Sequence, residues 1–243
     1  QQEDAASLLN KISLNGNEHI LDIGCGDGRF AAVLAKKVPK GQVIGIDPSD
    51  SMIEKANTFP QTKNLTFFKD KAETFSLNKR FDLIISIHAL HWIKNQTQAL
   101  NNISAHLKPD GKVYFIIAPS KEGLPFNRAL QKTLVNWKKE FARFENNQYF
   151  YDMESYRKLL VEAGFHITKM SYTYLEKNYT DKAQLSGWLK QWLPHYKYLP
   201  TEKRELFLSN LVEAYLIEIN AEPSQKINWG EYVMQIEATK NRI

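Results

Sequence analysis

Residues 21–28, Leu21-Asp22-Ile23-Gly24-Cys25-Gly26-Asp27-Gly28, hold three glycines at alternate positions between an apolar run and an amphipathic stretch. Glycine lacks a Cβ, so such a turn can be tight and its backbone can approach a ligand closely. At the end of a strand it forms the kind of crevice that open α/β sheets use for ligands. The spacing bears on which ligand. A dinucleotide pyrophosphate is served by Gly-x-Gly-x-x-Gly at a helix N-terminus free of negative charge. Here the last position of that pattern is Arg29, and Asp22 and Asp27 flank the loop. Two carboxylates suit a nucleoside cofactor that carries an ammonium and a sulfonium. Asp47 ends a second apolar run about 20 residues beyond the turn, where a carboxylate can take both hydroxyls of a ribose. That role fits either cofactor. The competing reading is a structural turn in which Asp47 caps a helix.

A second group of candidates closes the apolar run Phe81–Ile87: Ser86, Ile87 and His88, followed by His91 and Trp92. A histidine at a strand end can take a proton from an acceptor, and an indole N–H can donate to one. Alternatively, Leu90, Trp92 and Ile93 pack the next helix. Cys25 stands at an expected helix N-terminus, where a thiol can become reactive. No paired base accompanies it, so packing is the favoured role. As the single cysteine it excludes an internal disulfide framework. No zinc-type ligand set is visible, and no metal is expected.

The elements that position these residues follow from hydrophobic period and turn chemistry. Residues 3–13 read as a helix with Ala5, Leu8, Leu9 and Ile12 on one face. Strands are expected at 19–23, 42–46, 64–69, 81–87 and 112–118. Helices lie between them: one with Phe30, Val33 and Leu34, one opened by Pro48 and Ser49, and one near 96–107 before Pro109-Asp110-Gly111. Such alternation implies a parallel sheet with right-handed crossovers. Beyond it, residues 121–150 are irregular to helical and 153–163 form a helix stopped by Gly164. Two long strands are expected at 165–175 and 227–239, with a helical excursion at 181–221 broken by Pro194 and Pro200.

The chain has 243 residues, 43% hydrophobic and 24% charged, enough for a sizeable core. The net charge is +5, but the basic groups at Lys36, Lys37 and Lys40 and at Lys132, Lys138, Lys139 and Arg143 read as solvated faces. No strongly basic appendage is present, so nucleic acid is not an expected partner. No apolar run reaches the roughly 18 residues of a membrane span, and a cytoplasmic location is expected.

Residues 20–57 resemble the first two motifs of the class I methyltransferases that use S-adenosylmethionine. The likeness continues through Phe81-Asp82-Leu83-Ile84, His91-Trp92 and Leu107-Lys108-Pro109-Asp110-Gly111. Within that superfamily, Leu90-His91-Trp92-Ile93-Lys94-Asn95-Gln96 is similar to the trans-aconitate, juvenile-hormone-acid and malonyl-carrier-protein methyltransferases, which esterify a carboxylate. The resemblance implies a Rossmann-like α/β fold: a mostly parallel seven-stranded sheet, helices on both faces, and a helical cap inserted before the last strand. It implies a single domain over 1–243, with 1–118 as the cofactor-binding half and 121–150 and 178–226 as cap or substrate insertions.

The same resemblance implies S-adenosylmethionine as cofactor and S-adenosylhomocysteine as product. Gly24, Cys25 and Gly26, with Asp22 nearby, would hold the methionine part and Asp47 the ribose. Ser49 and Met52 would pack near the adenine, with Pro48 beside them, and Ser86, Ile87 and His88 would complete the cofactor-facing edge. The family's Gly-Asp-Ala-Glu-like segment reads Lys69-Asp70-Lys71-Ala72-Glu73 here. Aligning on Ala72-Glu73 puts Lys71 in the aspartate slot, and a shift of one residue brings in Asp70; Asp70, Lys71 and Ala72 are all candidates. Trp92, together with Gln1 or Gln2, would hold the acceptor carboxylate.

The expected activity is therefore O-methylation of a small or carrier-bound, partly apolar acid. An acid with a reference pKa near 4 is already ionised at neutral pH and needs no general base. The alternatives are methylation of a phenol, hydroxyl or carbon acid with His88 or His91 as base, and a non-catalytic protein that binds S-adenosylmethionine. The aromatics of 121–150 and 181–198 would then line a lid, or form the core of the cap.

Overall fold

The computed structural model describes residues 8–59, 62–121, 123–221 and 226–241. Gln1, Gln2 and Ala5 lie outside them, so their expected roles do too, and the first helix is seen only at residues 8–11. The chain divides into two compact units: residues 1–119, 148–173 and 233–243, and residues 120–147 and 174–232.

The first unit is built on a sheet whose seven strands are β1 (His19–Ile23), β2 (Gln42–Asp47), β3 (Leu65–Lys69), β4 (Phe81–Ile87), β5 (Leu107–Ile117), β6 (Phe165–Tyr179) and β7 (Ile227–Lys240). Their order is β3-β2-β1-β4-β5-β7-β6. The β1–β2, β1–β4, β2–β3 and β4–β5 pairs are parallel, and β7 runs antiparallel to β5. The sheet is thus mostly parallel and Rossmann-like, as the sequence implies.

Side-chain alternation along the central strands sends residues to two separate cores. Leu21, Ile44, Ile46 and Ile84 face one side, packed with Ala99, Leu100, Ile103, Tyr156 and Leu160 from helices α3 (Gln96–His106) and α5 (Met153–Glu162). Ile20, Val43, Leu83 and Ile85 face the other, packed with Ala31, Leu34 and Ala35 from α1 (Arg29–Lys37). Burying each such side chain contributes about 1.5–3 kcal/mol, so the strands can sit only between two helical layers. Helix α1 departs from the simplest reading of its sequence: Ala31, Leu34 and Ala35 are buried while Val33 is exposed.

Local signals set the ends. Asn95 caps α3 by accepting the Gln98 N–H, and Asp152 caps α5 by accepting the Ser155 N–H. Gly164 follows α5 with φ 83°, the left-handed stop the sequence implies. One boundary differs from expectation. Strand β5 begins at Leu107 rather than 112, because Leu107 pairs with Phe81 before the register shifts. Pro109-Asp110-Gly111 is absorbed in that irregularity, where a missing ladder hydrogen bond is tolerated.

The second unit carries α4 (Pro125–Asn136), α6 (Lys182–Trp192), α7 (Pro194–Tyr198) and α8 (Thr201–Glu218), with the ends of β6 and β7. Breaks fall at Pro194 and Pro200, as expected. Its aromatics make its own core: Trp229 lies 4.9 Å from Phe126, 4.7 Å from Trp188 and 5.0 Å from Tyr215, centroid to centroid.

Candidate active site

Parallel strands present their C-terminal ends to one edge, and the glycine turn lies there. The Ile46 carbonyl accepts both the Gly24 N–H (2.8 Å) and the Cys25 N–H (3.0 Å), tying the turn after β1 to the end of β2. Gly24, Gly26 and Gly28 have φ of 70°, 54° and 80°, the left-handed region that side chains avoid. Their surroundings differ. A Cβ on Gly24 would stand 2.1 Å from Ala89 Cβ, and one on Gly28 would meet Phe67 and Ala56 at 2.6 and 2.8 Å. A Cβ on Gly26 would meet nothing within 4 Å. At Gly26 alone, the bare backbone borders open space, which is what a ligand lying on the loop requires.

Asp47 ties the glycine turn to the start of the next helix. Its Oδ1 accepts the N–H of Ser49, which starts α2 (Asp50–Ala56), and its Oδ2 accepts the Gly26 N–H at 3.0 Å. A carboxylate has about four lone-pair sites, so two remain for hydroxyls. Met52 is half-buried in the first turn of α2, and Pro48 is exposed.

Asp22 is paired in register with Gly45 on one side and Ile85 on the other, and is buried. Among the described residues its Oδ2 has no hydrogen-bond partner. Burial, and then the charge of Asp47, push its carboxyl up to about 7. A buried, unpaired carboxylate is costly, and a cationic ligand group would satisfy it. Open backbone at Gly26, spare acceptor capacity on Asp47 and the orphaned oxygen of Asp22 together fit S-adenosylmethionine.

Cys25 is buried and packs with Ala31, Val43 and Phe67. Its Sγ would lie 2.9 Å from a Cβ on Gly45, and burial and then the Asp22 and Asp47 charges push the thiol upward. At the end of β3, the Asp70 N–H donates to the Asp47 carbonyl at 3.3 Å, which sets Asp70 beside Asp47. Lys71 is exposed, and Ala72 is buried in the core with Phe75.

The end of β4 brings the second group together. Ser86 is fully buried and its hydroxyl donates to the Ile23 carbonyl at 2.9 Å, so its side chain braces β4 against β1. Ile87 is half-buried. His88 has φ 55° and donates its N–H to the Ile116 carbonyl at 2.7 Å. His91 and Trp92 lie on the 3-10 turn Leu90–Trp92. His91 is buried; its Nδ1 accepts the Ala118 N–H at 3.3 Å, and its ring stacks on Phe150 at 6.0 Å. Burial, and then His88, hold its imidazole down at about 3. Trp92 is half-buried, its ring 5.7 Å from that of His91. Sequence reasoning missed Ala89, Gln96 and Tyr156, whose contacts fix this edge. Gln96 was within the recognised segment, but nothing in its type marked it as buried.

Residues 1–170 match the family model of a methyltransferase domain. The chain belongs to that family. Among its relatives, the malonyl-[acyl-carrier protein] O-methyltransferase of Bacillus cereus is 35% identical over 119 residues, 47% of this chain and 44% of that enzyme. The trans-aconitate 2-methyltransferase of Escherichia coli is 24% identical over 227 residues, 90% of this chain and 86% of that enzyme. The solved O-methyltransferase from a Brevibacillus brevis polyketide multienzyme, in complex with S-adenosylhomocysteine, shares the fold with a TM-score of 0.63 at 17% identity, covering 98% of this chain and 72% of that one. This methyltransferase uses S-adenosylmethionine. Among the described residues, no group of three His, Cys, Asp or Glu is placed to hold a metal, and no helix is long and apolar enough to cross a membrane.

Proposed function

We propose that this methyltransferase esterifies a carboxylate oxygen of a small or carrier-bound, partly apolar acid. The observation that carries this reading is the state of His91. It stands on the turn beside the cofactor loop, yet its Nδ1 is occupied by Ala118 and its basicity is suppressed by burial. A base so weak suits an acceptor that arrives already ionised. Both relatives named above carry an acid, free or carrier-bound, in their names.

S-adenosylmethionine supplies a methyl group already activated on a sulfonium. The protein's share is then binding, alignment and exclusion of water. Asp22 neutralises cationic charge at the turn, Asp47 holds the ribose, and Gly26 lets backbone approach. Pro48, Ser49 and Met52 lie near the adenine, with Asp70, Lys71 and Ala72 on the loop beside it. Trp92 offers its indole N–H to the acceptor, and Gln1 or Gln2 would join it.

A second reading rests on His88, a non-glycine residue held at positive φ at the strand edge, the kind of strain that collects at functional sites. In it, His88 deprotonates a phenol, hydroxyl or carbon acid. The pH dependence of methyl transfer at saturating cofactor separates the two. The carboxylate reading expects a flat rate from about pH 5.5 to 8, above the acceptor's own pKa. A loss of rate below about pH 6.5 that His88→Ala abolishes would establish the second.

A further inference from the structure

The turn that carries Trp92 is three residues long and is closed by only two i→i+3 hydrogen bonds, from the Trp92 N–H to the Ala89 carbonyl and from the Ile93 N–H to the Leu90 carbonyl, both at 3.0 Å. Its carbonyls are also gripped by the Gln96 side chain and the Tyr149 backbone. The Leu90 carbonyl accepts the Ile93 N–H at 3.0 Å and also Nε2 of Gln96; the Ile93 carbonyl accepts the same Nε2 at 2.8 Å; the His91 carbonyl accepts the Tyr149 N–H at 2.7 Å. One side-chain amide thus grips both ends of the turn.

Gln96 opens α3 and is 2% exposed. Both of its N–H groups are spent on the turn, and its Oε1 accepts the hydroxyl of Tyr156 at 3.1 Å, from α5. Tyr156 is 1% exposed. The amide's orientation follows from this network, since two carbonyls require the NH₂ and the phenol supplies a donor to the oxygen. An apolar pair of similar shape would fill the same space with little loss of stability. A fully satisfied polar network in a core instead specifies one geometry.

We infer that Gln96 and Tyr156 are a positioning pair for acceptor use: they fix the turn that presents Trp92 and leave the cofactor loop untouched. This rests on the assignment of Trp92 to the acceptor. Neither residue touches the glycine turn or Asp47 in the hydrogen bonds that hold those groups.

Trp92 is well suited to report on this, because the other four tryptophans, Trp137, Trp188, Trp192 and Trp229, belong to the second unit. In a ¹⁵N-labelled protein, the Trp92 indole cross-peak is assigned by its loss in Trp92→Phe. The test variant is Tyr156→Phe, which removes one hydroxyl; Gln96→Glu, which removes both donors, is the stronger second variant. The expected result is a shift or broadening of the Trp92 indole peak alone. S-adenosylhomocysteine affinity stays within about twofold, and methyl transfer to acids at saturating cofactor falls roughly tenfold, as misplacement of an aligning group does. A folded Tyr156→Phe protein whose Trp92 peak does not move overturns the inference, as does equal weakening of S-adenosylhomocysteine binding and transfer. The carboxylate reading fails separately, if the parent protein makes no ester while its Trp92 peak still answers to Tyr156→Phe.

Discussion

Gly24 and Ala89 meet so closely that a Cβ on Gly24 would stand 2.1 Å from the Cβ of Ala89. The cofactor turn after β1 and the residue between His88 and Leu90 are therefore packed backbone to side chain. Gly24→Ala faces this clash and a φ of 70° together. It should lose more than about 2 kcal/mol, since the left-handed region alone costs about 1–2 kcal/mol. Thermal unfolding of Gly24→Ala, with and without Ala89→Gly, checks this: the second change should restore part of the loss, because it relieves the contact but not the φ.

Gly26 offers the contrast. A Cβ there meets nothing within 4 Å, so Gly26→Ala should cost only the roughly 1–2 kcal/mol of its φ. The added methyl would occupy space a ligand needs. Titration calorimetry with S-adenosylhomocysteine should show affinity falling by at least about tenfold, a larger effect on binding than on the melting temperature.

Asp22 makes stability and binding depend on pH in opposite senses. Its folded carboxyl keeps its proton up to about 7, against an ordinary value of 3.8. This group's contribution to stability is therefore fully present below 3.8 and is lost as pH rises through about 7. A cationic ligand favours the ionised form, so cofactor affinity should rise as pH increases through about 7. Asp22→Asn should flatten both trends and weaken binding. Thermal shifts induced by S-adenosylhomocysteine at pH 6 and pH 8, in both proteins, read this out: the shift should be larger at pH 8 in the parent only.

His91 should behave as a structural group. His91→Ala leaves the Ala118 N–H without its acceptor inside the protein and removes the ring stacked on Phe150, which should cost about 1–3 kcal/mol. Denaturant unfolding measures the loss. An acid limb of the rate near pH 6.5 that vanished in His91→Ala would contradict this role.

Much of the sheet was legible because buried parallel strands are short apolar runs between turn signals, as at Phe81–Ile87, and those runs became strands. The tight glycine turn and the place of Asp47 at the end of β2 were legible because both are set by residues local in sequence. What was not legible depends on contacts made over distance. Nothing in the type of Ser86 says its hydroxyl is spent on Ile23. Nothing in Gln96 announces that Tyr156, 60 residues away, will satisfy its oxygen. Pro109-Asp110-Gly111 reads as a loop, yet pairing of Leu107 with Phe81 draws it into β5. The place of Asp70 could not be read from sequence; the hydrogen bond from the Asp70 N–H to the Asp47 carbonyl is what sets it beside Asp47.

The carboxylate assignment is tested most directly by the chemical lability of the product. The protein is incubated with S-adenosylmethionine labelled in its methyl group and with pools of carboxylic acids, phenols, acyl carrier protein and RNA. The products are treated with mild alkali, and volatile label is counted. The account predicts alkali-labile label in the carboxylic-acid or carrier-protein pool, reduced in Trp92→Phe. Label that is stable to alkali, in the phenol or RNA pool, would contradict it.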